Sequence, residues 1–142
     1  MSDYDTDILT WSERQADLLR RVAAGSVVNE TPDWSNIIEE IEAVGRSELR
    51  ACQSLLGQAL RHMLKAEAWP LSRDAPGWRA DAIDFRGQAS TCFEPGMRQR
   101  INLALLYRRA LRAMPETIDG QPPLPLPEVC PVTLDDLLSD DP

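Results

Sequence analysis

Histidine is nearly absent from this 142-residue chain, with His62 standing alone. No pair of histidines at helical spacing can therefore build a metal site, and general acid–base chemistry at neutral pH has a single imidazole to draw on. Cysteine is scarce as well. Cys52, Cys92 and Cys130 are odd in number and far apart, which excludes a C-x-x-C motif and a disulfide framework and predicts reduced, mostly buried thiols. No uninterrupted apolar run approaches the 18 residues of a membrane span, and the opening Met1-Ser2-Asp3-Tyr4-Asp5 lacks the basic and apolar regions of a secretory leader. The expectation is a soluble, cytoplasmic protein without a membrane partner. A nucleophile motif, a glycine-rich phosphate loop, strand-like alternation and internal repeats are also missing.

What is present is enough apolar content, 43% of residues, for one ordinary domain with a single core. The net charge of −8 disfavours a surface that grips nucleic acid throughout, yet it is unevenly spread. Residues 1–48 hold 11 acidic and 4 basic side chains, residues 49–114 hold 5 and 11, and residues 115–142 hold 7 and none. A basic middle between acidic flanks is explained by mutual neutralisation on folding. The alternative is a basic face for nucleic acid, a phosphate or an acidic partner.

Three- and four-residue spacing places Ile8, Trp11, Gln15, Leu18, Leu19, Val22 and Ala23 on one face of a first helix. That helix either starts afresh at Thr10, where Thr10-Trp11-Ser12-Glu13 fits a capping box, or runs on from Asp5 or Thr6, and it stops at Gly25. Asp33 is a good N-cap for a second, long helix to about Glu67, with an apolar stripe from Ile37, Ile38, Ile41 and Val44 to Leu60, Met63 and Leu64. Gly45 and Gly57 interrupt it, predicting close approach of another helix, or a bend or break. A third helix spans about Pro76 to Ser90. A fourth begins with Pro95 at its first position, continues through Tyr107 to Met114, and carries enough apolar residues to be the central helix. Beyond Pro115, alternating prolines and leucines predict a polyproline-like strap whose Leu124 and Leu126 lie on the bundle. Thr133-Leu134-Asp135-Asp136 then reads as the capped start of a short terminal helix. The expected architecture is all-α: a bundle of four main helices, one long, in a single domain over residues 1–142 with a proline-rich acidic strap.

Several of these segments together resemble the domain-of-unknown-function 29 family of bacterial proteins. They are Tyr4-Asp5-x-Asp7 with Trp11, the run from Asn36 through Glu39-Glu40-Ile41-Glu42 to Gly45-Arg46-Ser47-Glu48, and Leu60-x-His62-x-Leu64-Lys65. Trp78, Arg86, Tyr107, Glu116-Thr117 and Pro127-x-x-Cys130-Pro131-x-Thr133-Leu134 extend the likeness over nearly the whole chain. The resemblance implies an all-helical domain and carries no established activity.

The candidate chemistry is thin. Glu39 and Glu42, at i and i+3, can share a helix face and offer oxygen ligands suited to Mg²⁺ or Mn²⁺; the bland alternative is a solvated acidic face with one carboxylate tied to an arginine from another helix. Glu40, His62 and Tyr107 are the weak catalytic candidates. Glu40 and His62 lie 22 positions apart, about 33 Å on one straight helix, so only a kink, a chain reversal or a second copy could unite them. A histidine held by a hydrogen bond beside the apolar stripe explains His62 equally. Arg86, Arg108, Arg109 and Arg112 are candidates for binding an anion or an acidic partner, unless an internal carboxylate such as Glu40 or Glu116 neutralises the fourth-helix arginines. The tryptophans read as core and helix-end packing.

The leading expectation is an interaction or regulatory module with a protein partner or a second copy of itself, without a cofactor. The alternatives are a metal-dependent hydrolase of phosphate esters or nucleic acid acting through Glu39, Glu40 and Glu42, and a nucleic-acid or acidic-partner binder acting through the basic centre.

Overall fold

The computed structural model describes residues 2–139, so Asp140 and Asp141 of the acidic strap lie outside the described residues. Among the described residues there are six helices and no strand: α1 (Asp3–Thr6), α2 (Ile8–Ala23), α3 (Trp34–Ala68), α4 (Ala75–Cys92), α5 (Leu103–Arg112) and α6 (Leu134–Leu138). None is long and apolar enough to cross a membrane. By packing, the chain divides into two compact units, Met1–Arg46 and Ser47–Pro142, with the division falling inside α3.

In the first unit the break expected near Thr10 comes at Asp7. The Asp7 carboxylate accepts from both the backbone N–H and the hydroxyl of Thr10, capping α2, so Thr10 serves as an N3 donor rather than as a cap. The helix ends as expected. Gly25, at φ 78°, supplies the left-handed residue, and Gly25 N–H to Val22 O with Ser26 N–H to Arg21 O forms a Schellman ending. Trp11, Gln15 and Leu18 of α2 are buried together with Ile37 of α3, while Ile8 and Val22 from the expected face are exposed.

Helix α3 runs 35 residues without a break at Gly45 or Gly57. Nor does either glycine admit a close neighbour, since a Cβ placed on either would meet nothing within 4 Å. The apolar stripe of α3 also has two fates. Its later half, Cys52, Leu56, Ala59, Leu60 and Leu64, is fully buried, whereas Ile38, Ile41 and Val44 are more than half exposed.

The second unit is built on that later half, which makes α3 its central helix instead of the shorter, ten-residue α5. Around Leu56, Leu60 and Leu64 collect Ala89 of α4, Tyr107 and Ala110 of α5, and Leu137 of α6. Helix α4 buries Ala75, Ala82 and Ala89, seven residues apart on one face. Pro95 opens only a three-residue 3₁₀ turn, Pro95–Met97; α5 waits for Asn102, whose side chain accepts from Leu105 N–H. A good N-cap outcompetes a favourable N1 proline because it satisfies an orphan donor.

The proline-rich segment is a strap, as expected, anchored at three points. Leu124 N–H donates to Ala68 O at the end of α3, Trp69 Nε1–H donates to Gln121 O, and the Tyr107 hydroxyl donates to Pro127 O at 2.5 Å. Leu126 packs on the core but Leu124 is 52% exposed, so one of the two leucines docks. Thr133 and Asp136 form a reciprocal capping box at α6, and Leu137 seats it.

Candidate functional site

Most of the conspicuous residues of the first unit are engaged in holding it together. Trp11 Nε1–H and Asn36 Nδ2–H both donate to Asp33 Oδ2, at 3.0 and 2.7 Å, and Asp33 N–H donates to the buried Gln15 Oε1 at 2.8 Å. These donors hold the Asp33 carboxyl below its ordinary pKa, Asn36 contributing most. Tyr4 sits edge-on to Trp11, with ring centroids 4.9 Å apart, and its hydroxyl donates to Glu40 Oε1 at 2.7 Å. That bond to a carboxylate pushes the Tyr4 phenol up from its ordinary value. The motif residues Tyr4, Trp11 and Asn36 thus latch α1 and α2 to the start of α3.

The acidic cluster is divided between Arg46, which Glu39 and Glu42 share, and Tyr4, which takes Glu40. Arg46 Nη2 lies 2.6 Å from Glu39 Oε1, and Arg46 Nη1 lies 3.9 Å from Glu42 Oε2. The arginine comes from the same helix, not from another one, and Glu42–Arg46 is the i, i+4 pair that helical spacing allows. All three side chains are more than 40% exposed, so these pairs contribute only a few tenths of a kcal/mol. Glu40 is bound by Tyr4. Among the described residues, no group of three or more His, Cys, Asp or Glu side chains is placed to hold a metal ion.

In the second unit His62 is half-buried. Its Nδ1 bonds Gln58 O at 2.8 Å, which assigns the proton there, and Nε2 lies 3.7 Å from Asp81 Oδ2 with the Phe85 ring 5.2 Å away. Its neighbours are on α3 and α4, and neither Tyr107 nor Glu40 is among them. Tyr107 is 1% exposed, and burial raises the pKa of the phenol that clamps the strap. Arg86 donates from Nε to Leu137 O at 3.2 Å and from Nη2 to Asp136 O at 2.8 Å, so it caps the carbonyl end of α6.

Arg108, Arg109 and Arg112 are exposed and form no ion pair among the described residues, with neither Glu40 nor Glu116 reaching them. Arg109 faces a concavity. It lines an open groove of about 390 Å³ between α3 and α5, opposite Arg50, Ser54, Gly57 and Arg61. Helical spacing could have found the α3 side, because positions 50, 54, 57 and 61 share a face. The match with Arg109 required the packing of α5. A second cavity, about 510 Å³, is mainly apolar and brings Tyr107 and Arg86 to a common wall with Glu67 and Arg79.

The exposed face of α3 in the first unit was also hidden in the sequence. Trp34, Ile38, Ile41 and Val44 follow one another at steps of four, three and three, and are 47, 54, 67 and 65% exposed. Periodicity identified Ile38, Ile41 and Val44 as part of a stripe, without Trp34, and could not say whether anything covers it.

Over residues 4–141 the chain matches the family described as domain of unknown function DUF29. It is also similar to an α-helical protein of unknown function from Rhodospirillum rubrum whose crystal structure is known. The two are 31% identical, with a TM-score of 0.68 over 99% of this chain and 92% of that one. No curated protein matches the chain.

Proposed function

We propose that this chain, which belongs to the DUF29 family, works as an interaction module that pairs with a second copy of itself through the exposed face of α3 in its first unit. The observation that carries the proposal is the row Trp34, Ile38, Ile41 and Val44, uncharged and exposed on one helix face. Those exposures amount to roughly 400 Å² of apolar surface, the size of patch that on a monomer is often an interaction site. Gly45 adds open space beside it.

A second copy suits this face because Ile38 and Val44 lie three residues to either side of Ile41, with Trp34 outside that symmetric centre. Antiparallel pairing centred there sets Ile38 of each copy against Val44 of the other, the self-complementary arrangement a two-fold interface demands. Both faces together supply roughly 800 Å², below the roughly 1,200 Å² of stable specific interfaces and in the range of weak, transient ones, so the pairing is reversible and depends on concentration. Glu39 and Arg46, bound to each other beside the row, give it a polar rim.

The metal-dependent hydrolase has less support, because Arg46 pairs with both Glu39 and Glu42, Tyr4 takes Glu40, and among the described residues no group of three or more such side chains is placed to hold a metal ion.

The test is sedimentation velocity between about 1 and 200 µM, the range in which a small interface dissociates. A dimer that appears with concentration, is abolished by Ile41→Glu and is retained by Leu71→Glu, at an exposed position of the second unit, supports the proposal. A monomer throughout, or a dimer insensitive to Ile41→Glu, overturns it.

A further inference from the structure

We propose that the groove between α3 and α5 in the second unit is a binding site for a small organic phosphate of nucleotide size, held by Arg50, Arg61 and Arg109. The inference is independent of the self-association reading and concerns a different unit of the chain.

Three observations meet there. First, three arginines line one concavity, while no aspartate or glutamate is among its lining residues. In a chain with 23 acidic and 15 basic side chains, like charges gathered without a carboxylate repel one another, and an anion between them relieves that repulsion. None of the three arginines forms an ion pair among the described residues, although Arg14, Arg21, Arg46 and Arg98 all do. Second, the remaining wall is divided between hydrogen-bonding groups and apolar surface. Ser54 and Gln58 offer a hydroxyl and an amide, and Leu105 and Leu106 of α5 form an apolar side. Third, Gly57 sits on the α3 wall and nothing lies within 4 Å of where its Cβ would be, so the groove is open at its middle.

Guanidinium matches phosphate oxygens with two parallel donors, and three such forks can address two phosphates at once. Orthophosphate alone would leave most of a 390 Å³ groove empty; that volume is typical of a site that buries a drug-sized molecule. An organic body against Leu105 and Leu106 with its phosphates among the arginines uses both kinds of wall.

The experiment is isothermal titration calorimetry on the full chain with ADP, inorganic pyrophosphate and orthophosphate, followed by a single-stranded RNA 12-mer. ADP is expected to bind with a dissociation constant on the order of 100 µM or tighter, more strongly than pyrophosphate and much more strongly than orthophosphate. Arg61→Gln and Arg109→Gln should each weaken ADP at least tenfold. Arg20→Gln, at an exposed arginine of the first unit, should leave it unchanged. All three positions are exposed, so circular dichroism should show unaltered folding. No heat with ADP at 1 mM overturns the proposal, as does equal weakening by Arg20→Gln, which would mark diffuse attraction. RNA binding far tighter than ADP, with a steep salt dependence, would assign the groove to nucleic acid and overturn it also.

Discussion

Replacing Tyr107 with phenylalanine removes one hydroxyl and leaves a ring that fits the same space, so it isolates the bond that clamps the strap to the bundle. The hydroxyl donates to Pro127 O, and the ring is 1% exposed within the core of Leu56, Leu60 and Leu137. A buried acceptor left without a partner costs about 1–3 kcal/mol, but Pro127 itself is exposed, and water can reach its carbonyl; the net loss is therefore about 0.5–1.5 kcal/mol. For a chain of this size that is a fall of roughly 2–5 °C in Tm. The more specific readout is amide hydrogen exchange at Leu124, whose N–H donates to Ala68 O in the same strap. If Tyr107 restrains the strap, Leu124 should exchange up to about tenfold faster in Tyr107→Phe, the factor given by 1.4 kcal/mol, while Leu56 in the centre of α3 changes only with global stability. Trp69→Phe, which removes the donor to Gln121 O, should act on the same strap, and the double variant should show coupling. An unchanged Tm with unchanged exchange at Leu124 would refute the reasoning and leave the strap held by Leu126 and the prolines alone.

Leu56→Ala, at a side chain with no exposure in the core of the second unit, should cost about 2–5 kcal/mol in denaturant unfolding. Thr133→Ala removes one half of the α6 capping box and should cost about 1 kcal/mol by the same measurement. The carboxyls of Asp7, Asp33 and Asp136 are held below their ordinary value of 3.8, by Thr10, by Asn36 and Trp11, and by Thr133 respectively. A depressed folded-state pKa means that the unfolded chain binds protons first, so their stabilisation is complete above the unfolded pKa and is lost as pH falls through the folded values. Thermal unfolding followed from pH 6 to pH 2 should show this loss beginning near pH 4, and Asp33→Asn should flatten it. Under native conditions Cys52, with no exposure and a thiol pushed up by burial, should react with a thiol reagent far more slowly than the half-exposed Cys92 and Cys130.

The candidate sites divide by how many elements each one needs. The acidic cluster, His62 and the arginines were visible as residue types, but what each could do depended on neighbours from other segments. Tyr4, 36 positions before Glu40 in the chain, engages that carboxylate; Asp81 and Phe85 of α4 turn out to be the neighbours of His62. The carbonyl end of α6 occupies Arg86, from 50 and 51 positions away. Arg50 and Arg61 share an α3 face by spacing alone, and their grouping into a candidate site required α5 to place Arg109 opposite them.

What the sequence determined by itself was everything set by interactions within a few residues. These were the helical class, the stop at Gly25, the start of α3 after Asp33, the proline strap and the capped turn at Thr133, because propensity, capping and excluded φ angles act locally. The same locality explains two shifts. Pro95 and Thr10 each satisfied a local rule, and Asn102 and Asp7 satisfied the competing rule that an orphan N–H must find an acceptor. Only the tertiary structure decided which apolar residues are covered. One stripe runs the length of α3, yet Leu56 and Leu60 are buried while Ile38 and Ile41 face outward, since burial belongs to the elements that fold back onto a helix and not to the helix. Hydrophobic periodicity reports which side of α3 seeks cover, and the chain supplies that cover at Ile37 and again from Leu49 onward but leaves Ile38, Ile41 and Val44 bare.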